Sequence, residues 1–507
     1  MTERTSGCVC LINRQREGIL IVLWTLVGLG LRIVGLQENP VNAYFDEGVY
    51  LSLMQVIASG QAALYRDIIF GHPPGVIWVG AWLWPLVDGS LFALRLVYAL
   101  FCMAGFLPIY AIARRLYGPP VALTTLALLM TSPGFANWQG RTVFLELPQN
   151  VFVYTGIWLL TCVPGSRPLL QITAGALVGC SFLVKETAIP AGFMLGMALL
   201  FAGLTRSGDG PAGQIDRWAW LWFGAGCAGA LGAVLGYLAQ IPNCLHYFAG
   251  YYSLTKNAND TYQIGQRLYD LINGFYALPF PLTFGVIGTG QMLSRTRSRV
   301  ERMLAFYAIG IALLLFLVPN RFYWRYLMPA VPVFCIGCAV WWQQFLTSEQ
   351  RRPTRSLVWT FGALCALVHL ASVAQYHLWE SRTPTAYHEA LRVLRQGPGP
   401  VFTLDPIWNA ASGQPPPLWP HLGGDVHGRQ LAMEADPDQA VRAIEHAPTV
   451  VLNRETMRWM PPSIERYIRQ HYITVFRNAR MPSRQYVEIL RRRREPVRAS
   501  NQRRSVR

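Results

Sequence analysis

Charge is scarce in this chain, and acid is scarcer than base. Only 14% of the 507 residues are charged against 52% hydrophobic, and mean hydropathy is positive. That balance excludes an ordinary soluble protein, whose surface would lack polar cover. Lysine is nearly missing: Lys185 and Lys256 are the only two, and every other basic residue is arginine. The net charge of +17 does not read as a nucleic-acid footprint. The arginines cluster in short loops between apolar runs, as they do in cytoplasmic loops of membrane proteins. Cysteine stops at Cys365. The ten cysteines lie in or beside apolar segments, so no disulfide framework is expected, and Cys335-x-x-Cys338 reads as packing inside a span. No small-x-small cleavage site follows Ile19–Leu36, so that run should remain as an anchor.

What is present is a series of apolar runs near the ~20 residues that cross a hydrocarbon core. About eleven spans are expected, at 19–36, 90–113, 119–133, 144–162, 169–184, 187–204, 218–240, 271–293, 302–318, 326–346 and 357–378. Arginine asymmetry sets the orientation. With Arg4, Arg14 and Arg16 in the cytoplasm, alternate loops carry Arg114 and Arg115, Arg167, Arg206 and Arg217, Arg295 to Arg302, and Arg351 to Arg355. The opposite short loops are nearly bare of positive charge. The protein is therefore expected in the cell membrane as a multi-pass chain, N-terminus cytoplasmic and C-terminal region outside.

Three outer segments exceed simple connections. The first loop, 37–89, holds Asp46-Glu47, an amphipathic stretch Val49–Ile57, and His72-Pro73-Pro74 ahead of Val76–Leu86. Such short apolar stretches read as helices lying in the interface. The second runs from Ile241 to Asp270 and includes Lys256. The third follows the last span. Its short runs Val401–Leu404, Thr449–Leu452, Ile473–Phe476 and Tyr486–Leu490 read as strands, and Asp436-Pro437 as a helix cap with proline at the first helical position. The expected organisation is a cytoplasmic N-terminus (1–18), an α-helical transmembrane domain (19–378), a small extracytoplasmic α/β domain (379–490) and a basic tail (491–507) touching anionic lipid.

Ionisable residues gather at the outer ends of these spans. Asp46 and Glu47 follow the first; Arg141 and Glu146 bracket the start of the fourth. Lys185-Glu186 separates the fifth and sixth, and Arg321 and Arg325 lie between the ninth and tenth. Each alone has a plain explanation. Asp46 caps a helix, Arg325 snorkels to lipid, and Glu186 pairs with Lys185. Together, acids and bases at one membrane face point to a site. Carboxylates serve as general bases, while arginine and lysine hold phosphate. At a bilayer the phosphate carrier is a lipid. A sugar leaving a lipid phosphodiester needs no proton on its leaving group, whose second pKa is near ~6. One base and a cationic clamp then suffice for single displacement with inversion. The competing reading is a transporter or lipid flippase, although the paired repeats of transporters are not visible in this sequence.

The order of these motifs resembles the GT-C superfamily of membrane glycosyltransferases, in particular protein O-mannosyltransferases and the lipid A aminoarabinose transferase. The resemblance rests on Tyr44-Phe45-Asp46-Glu47, His72-Pro73-Pro74, Arg141-x4-Glu146-x-Pro148, Lys185-Glu186-Thr187, and Arg325-Tyr326 followed by Pro329. It implies a polyprenyl-phosphate-linked sugar as donor and a protein, lipid or glycan as acceptor. Asp46 would be the general base or a carboxylate that orients the acceptor, supported by Glu47, with Glu146 a second catalytic carboxylate near the acceptor where many relatives carry Asp. Arg141 and Tyr326 would join the substrate site, and Lys185, Arg321 and Arg325 would contact phosphate. His72 either pins the loop over the site or braces a turn. Arg95 and Arg32 are expected to snorkel. Neither a cofactor nor an essential metal is expected, and no His/Cys cluster has ligand spacing.

Overall fold

The computed structural model describes residues 2–36, 45–162, 168–205, 216–247, 264–295, 298–317, 322–347, 352–380, 385–423, 426–453, 457–478 and 486–493. In chain order the helices begin with α1 (Thr2–Ile33), α2 (Phe45–Ala58), α3 (Gly75–Leu86), α4 (Leu91–Ala104) and α5 (Phe106–Tyr117). They continue with α6 (Pro119–Thr131), α7 (Glu146–Cys162), α8 (Pro168–Cys180), α9 (Ala188–Leu204) and α10 (Ala219–Ala239). Then come α11 (Ile264–Ala277), α12 (Val286–Arg295), α13 (Arg299–Leu317), α14 (Val331–Thr347) and α15 (Arg352–Gln375). The last are α16 (Thr385–Arg395), α17 (Ile407–Ser412), α18 (Val426–Ala435), α19 (Pro437–Glu445) and α20 (Pro462–His471). Two compact units result. The first holds Met1–Asn39 and Gly71–Arg382; the second joins Pro40–Phe70 to Thr383–Arg507. The segment 37–89 is thus shared between them.

Among the described residues of the first unit four stretches are long and apolar enough to cross a membrane: Leu91–Tyr117, Ala219–Ala239, Arg299–Leu317 and Arg355–Leu378. Further apolar helices, α3, α6, α9, α14 and the α8 stretch to Leu183, are shorter. The run expected as one span at 271–293 bends by 111° between α11 and Pro281–Arg295. Pro279 and Pro281 remove two backbone donors there, so a straight helix cannot continue. Helices meet through small residues, as they must where lipid offers no hydrophobic drive. A Cβ on Gly175 of α8 would stand 2.0 Å from the Phe223 carbonyl oxygen of α10, and one on Gly226 2.0 Å from that of Ile172. On α13, Met303, Tyr307 and Ile311 recur at helical spacing and are fully buried.

Two arginines expected to snorkel do not. Arg32 is fully buried, and its Nη1 donates to the carbonyls of Gly28 (2.8 Å) and Met130 (3.0 Å) while Nη2 reaches Phe135 (3.3 Å). It thereby ties α1 to α6 and to the π-helical turn Gly134–Gln139. Arg95 is buried too, donating to the Leu36 carbonyl at 2.9 Å. Backbone carbonyls, those of Met130 and Leu36 at or just past helix ends among them, outcompete the lipid surface for both guanidinium groups.

The second unit contains a four-stranded sheet in the order β1 (Val401–Thr403), β2 (Thr449–Asn453), β4 (Val487–Arg492), β3 (Tyr472–Arg477). β1 runs parallel to β2, and β4 is antiparallel to both of its neighbours, with Val401 opposite Thr449 and Val450 opposite Leu490. The parallel step needs a long crossover, which the helices between β1 and β2 supply. Ile444, Ile464 and Ile468 pack on Phe402, Val450 and Leu490 to make the core. Asp436 caps α19 by accepting from the Gln439 amide at 2.9 Å. Strand β4 runs on to Arg492, so Arg491 and Arg492 belong to the sheet; the rest of the expected basic tail, after 493, lies outside the described residues. Fully buried Glu488 accepts from Thr474 (2.5 Å), Arg477 (2.7 Å), Arg469 (2.7 Å) and Tyr486 (2.9 Å).

Candidate active site

The first unit brings together four of the residues singled out in the sequence. Glu146 opens α7, where a carboxylate meets the positive end of the helix dipole. Lys185 lies in the turn between the short 3₁₀ segment Ser181–Leu183 and α9. Its Nζ donates to Glu146 Oε1 at 2.5 Å, and both side chains are nearly fully buried. Arg325 Nε stands 3.5 Å from the same oxygen. The ring of Tyr326 lies under the Lys185 ammonium at 5.1 Å. Arg325 is itself sandwiched near the rings of Phe144 (5.3 Å) and Tyr323 (5.2 Å). Two cations against one carboxylate leave a net charge of about +1, enough to match one phosphodiester anion.

A second pair adjoins this cluster in the chain. His72 Nδ1 lies 3.2 Å from Glu186 Oε2. Glu186 therefore pairs with histidine and Lys185 with Glu146, not with each other as chain neighbours would suggest. Arg141 is buried, five residues before Glu146, with its guanidinium 4.8 Å from the Tyr376 ring. Arg321 falls outside the described residues. Asp46 and Glu47 occupy the first turn of α2 in the second unit. Glu47 is fully buried and Asp46 half-buried. That helix is seated on α17: a Cβ on Gly48 would come within 2.6 Å of the Ile407 nitrogen, Ser52 donates to the Pro406 carbonyl, and Gln55 to that of Gly413.

Sequence reasoning missed two neighbours. Thr187 Oγ1 donates to Gln149 Oε1 at 2.6 Å, and Gln149 is fully buried. The spacing Glu146-x-x-Gln149 was the available signal, since residues three apart share a helix face. An apolar groove of about 380 Å³ lies between α8, α9 and α10, lined by Gly179, Phe182, Ala188, Gly192, Phe223 and Cys227. Lys185 is placed in the chain between two of its lining residues, Phe182 and Ala188. Among the described residues no three His, Cys, Asp or Glu side chains converge as a metal set.

The chain is helical, with several apolar helices, a small sheet and a buried acid–base cluster, and part of it matches a known family. Residues 71–209 match the family model described as dolichyl-phosphate-mannose-protein mannosyltransferase. The fold is similar to that of ArnT from Cupriavidus metallidurans, solved bound to undecaprenyl phosphate and in the apo state. Each comparison gives a TM-score of 0.58 at 15% identity, over 93% of this chain and 97% of that one. The oligosaccharyltransferase of Archaeoglobus fulgidus, in its apo form, matches at a TM-score of 0.49 and 13% identity, over 90% of this chain and 73% of that one. No curated protein matches the chain by sequence.

Proposed function

We propose that this protein is an inverting glycosyltransferase that moves a sugar from a polyprenyl-phosphate donor to an acceptor at the outer face of the cell membrane. The observation that carries the reading is the buried Glu146–Lys185–Arg325 cluster, next in the chain to an apolar groove. Lipid-linked phosphate is the ligand that asks for both chemistries at once. Lys185 acts as a point charge on the phosphate, and Arg325 as a fork of donors. In this reading Asp46 takes the proton of the acceptor's hydroxyl or amine. The acceptor atom bonds to the anomeric carbon as the bond to the phosphate oxygen breaks, and the polyprenyl phosphate leaves as a monoester. His72, Glu47, Arg141, Arg321 and Tyr326 complete the substrate site, and Glu146 holds the two cations close to where the sugar passes to the acceptor.

The same reading places about eleven spans in the bilayer, the N-terminus in the cytoplasm and the C-terminal region outside, as the arginine distribution requires. It is supported by the family match over residues 71–209 and by the likeness in fold to ArnT. The test is a transfer assay with the full chain in nanodiscs and a panel of polyprenyl-phosphate sugars, with products read by mass spectrometry. Glycosylated product and copurifying polyprenyl phosphate are expected. Lipid or solute movement across vesicles with no product from any donor would reject the transferase in favour of a transporter.

A further inference from the structure

Glu146 and Gln149 lie on one face of α7, three residues apart. Each is held by one residue of the same turn, Glu146 by Lys185 and Gln149 by Thr187. These two rungs use one end of each side chain. The other ends, Glu146 Oε2 and Gln149 Nε2, are buried and have no hydrogen-bond partner among the described residues. Burying such atoms empty is costly, so a ligand that fills both gains on both. One atom is an acceptor and the other a donor. A hydroxyl satisfies the two together, because it gives one hydrogen and accepts others. A phosphate oxygen carries no hydrogen for the carboxylate. An ammonium group has nothing to accept from the amide, and it would add a third cation to Lys185 and Arg325.

We infer that Gln149, with Glu146, takes one hydroxyl of the transferred sugar, and that the sugar is neutral and hydroxylated at that position. This rests on the glycosyltransferase reading and assigns the substrate class to its site. Lys185 and Arg325 then serve the phosphate, and the α7 face reads the sugar.

The experiment is equilibrium binding to the full-length protein in nanodiscs. The probes are bare undecaprenyl phosphate, its mannose, glucose, galactose and arabinose derivatives, and its aminoarabinose derivative. The wild-type protein should bind at least one neutral sugar-lipid more tightly than both the bare and the amino-sugar lipids. Gln149→Met should weaken that sugar-lipid about tenfold, the scale of one hydrogen bond, while bare lipid shifts less than twofold. Equal losses on both probes would mean a structural role and overturn the inference, as would a wild-type preference for the amino sugar or for no sugar. If Gln149→Met does not fold, Thr187→Val carries the test, lowering the same affinity ratio; an unchanged ratio overturns the inference. Failure of the wild-type protein to bind any polyprenyl phosphate would instead reject the glycosyltransferase reading itself.

Discussion

Lys185 and Glu146 form a buried ion pair across 39 positions of sequence, with the ammonium 2.5 Å from a carboxylate oxygen that Arg325 also approaches. A pair so placed does two jobs that mutation can separate. Breaking it leaves a buried charge alone, and such breaks cost about 3–5 kcal/mol. Lys185→Met and Glu146→Gln should each lower the thermal midpoint in detergent by several degrees and abolish transfer. The double variant Glu146→Leu/Lys185→Met should regain part of the stability, since apolar replacement of a buried pair is often neutral but Arg325 loses its contact with the carboxylate. It should regain no transfer. Recovery of activity along with stability would show that the pair only holds the fold.

Asp46 is expected to act as the base while contributing little to the fold, since it is half-buried at the first turn of α2. Asp46→Asn should insert and unfold like the wild type. Its transfer rate should fall by a factor of about 100 to 10,000, the usual weight of a general base. Full activity in a single-turnover assay would remove Asp46 from the mechanism. The same assay after EDTA treatment should show undiminished transfer; restoration by added Mn²⁺ of activity lost to the chelator would establish a metal requirement.

Arg32 should matter to stability more than its place on an apolar helix suggests. It donates to three carbonyls of three different segments. Each such bond contributes about 1.5–3 kcal/mol when charged, so Arg32→Leu should unfold well below the wild type. Arg32→Lys should rescue little, because an ammonium cannot span three acceptors with the planar fork. Thermal unfolding of both variants in the same detergent checks this.

Glu488 sets an acid limit on the second unit. Burial pushes its carboxyl up, and the bonds donated by Thr474, Arg477, Arg469 and Tyr486 outweigh that and bring it down to about 2. The folded value lies below the ordinary carboxylate value, so the stabilisation is present above about pH 4.5 and is lost as pH falls toward 2. Glu488→Gln should remove this acid sensitivity and cost about 1–3 kcal/mol at neutral pH. Urea titrations of the full chain between pH 3 and pH 7 test the slope.

The orientation can be read by fusions. Alkaline phosphatase joined after Arg507 should be active in intact bacteria, and joined after Arg206 inactive, as the proposed orientation with the arginine-bearing loops in the cytoplasm requires. The reverse pattern would turn the site to the other side of the membrane.

Membrane character, the helical class and the strand positions were legible locally. Hydropathy and period-two runs act over ten to twenty neighbours, so Thr449–Leu452 could be read as a strand before any partner was known. The ionisable candidates were legible too, since Glu146, Lys185 and Arg325 are conspicuous in apolar surroundings. Their pairing was not. Chain neighbours suggested Lys185 with Glu186, whereas packing of α7 against the 185–187 turn gave Lys185 to Glu146 and left Glu186 to His72. The snorkelling expected of Arg32 and Arg95 failed for the same reason: buried carbonyls from distant segments were invisible in a one-dimensional reading. So was the grouping of Pro40–Phe70 with the C-terminal region, which depends on Gly48 admitting the Ile407 backbone. What the chain alone determined is which segments avoid water; which charged atoms then face one another is a long-range consequence of packing, and only the tertiary structure decides it.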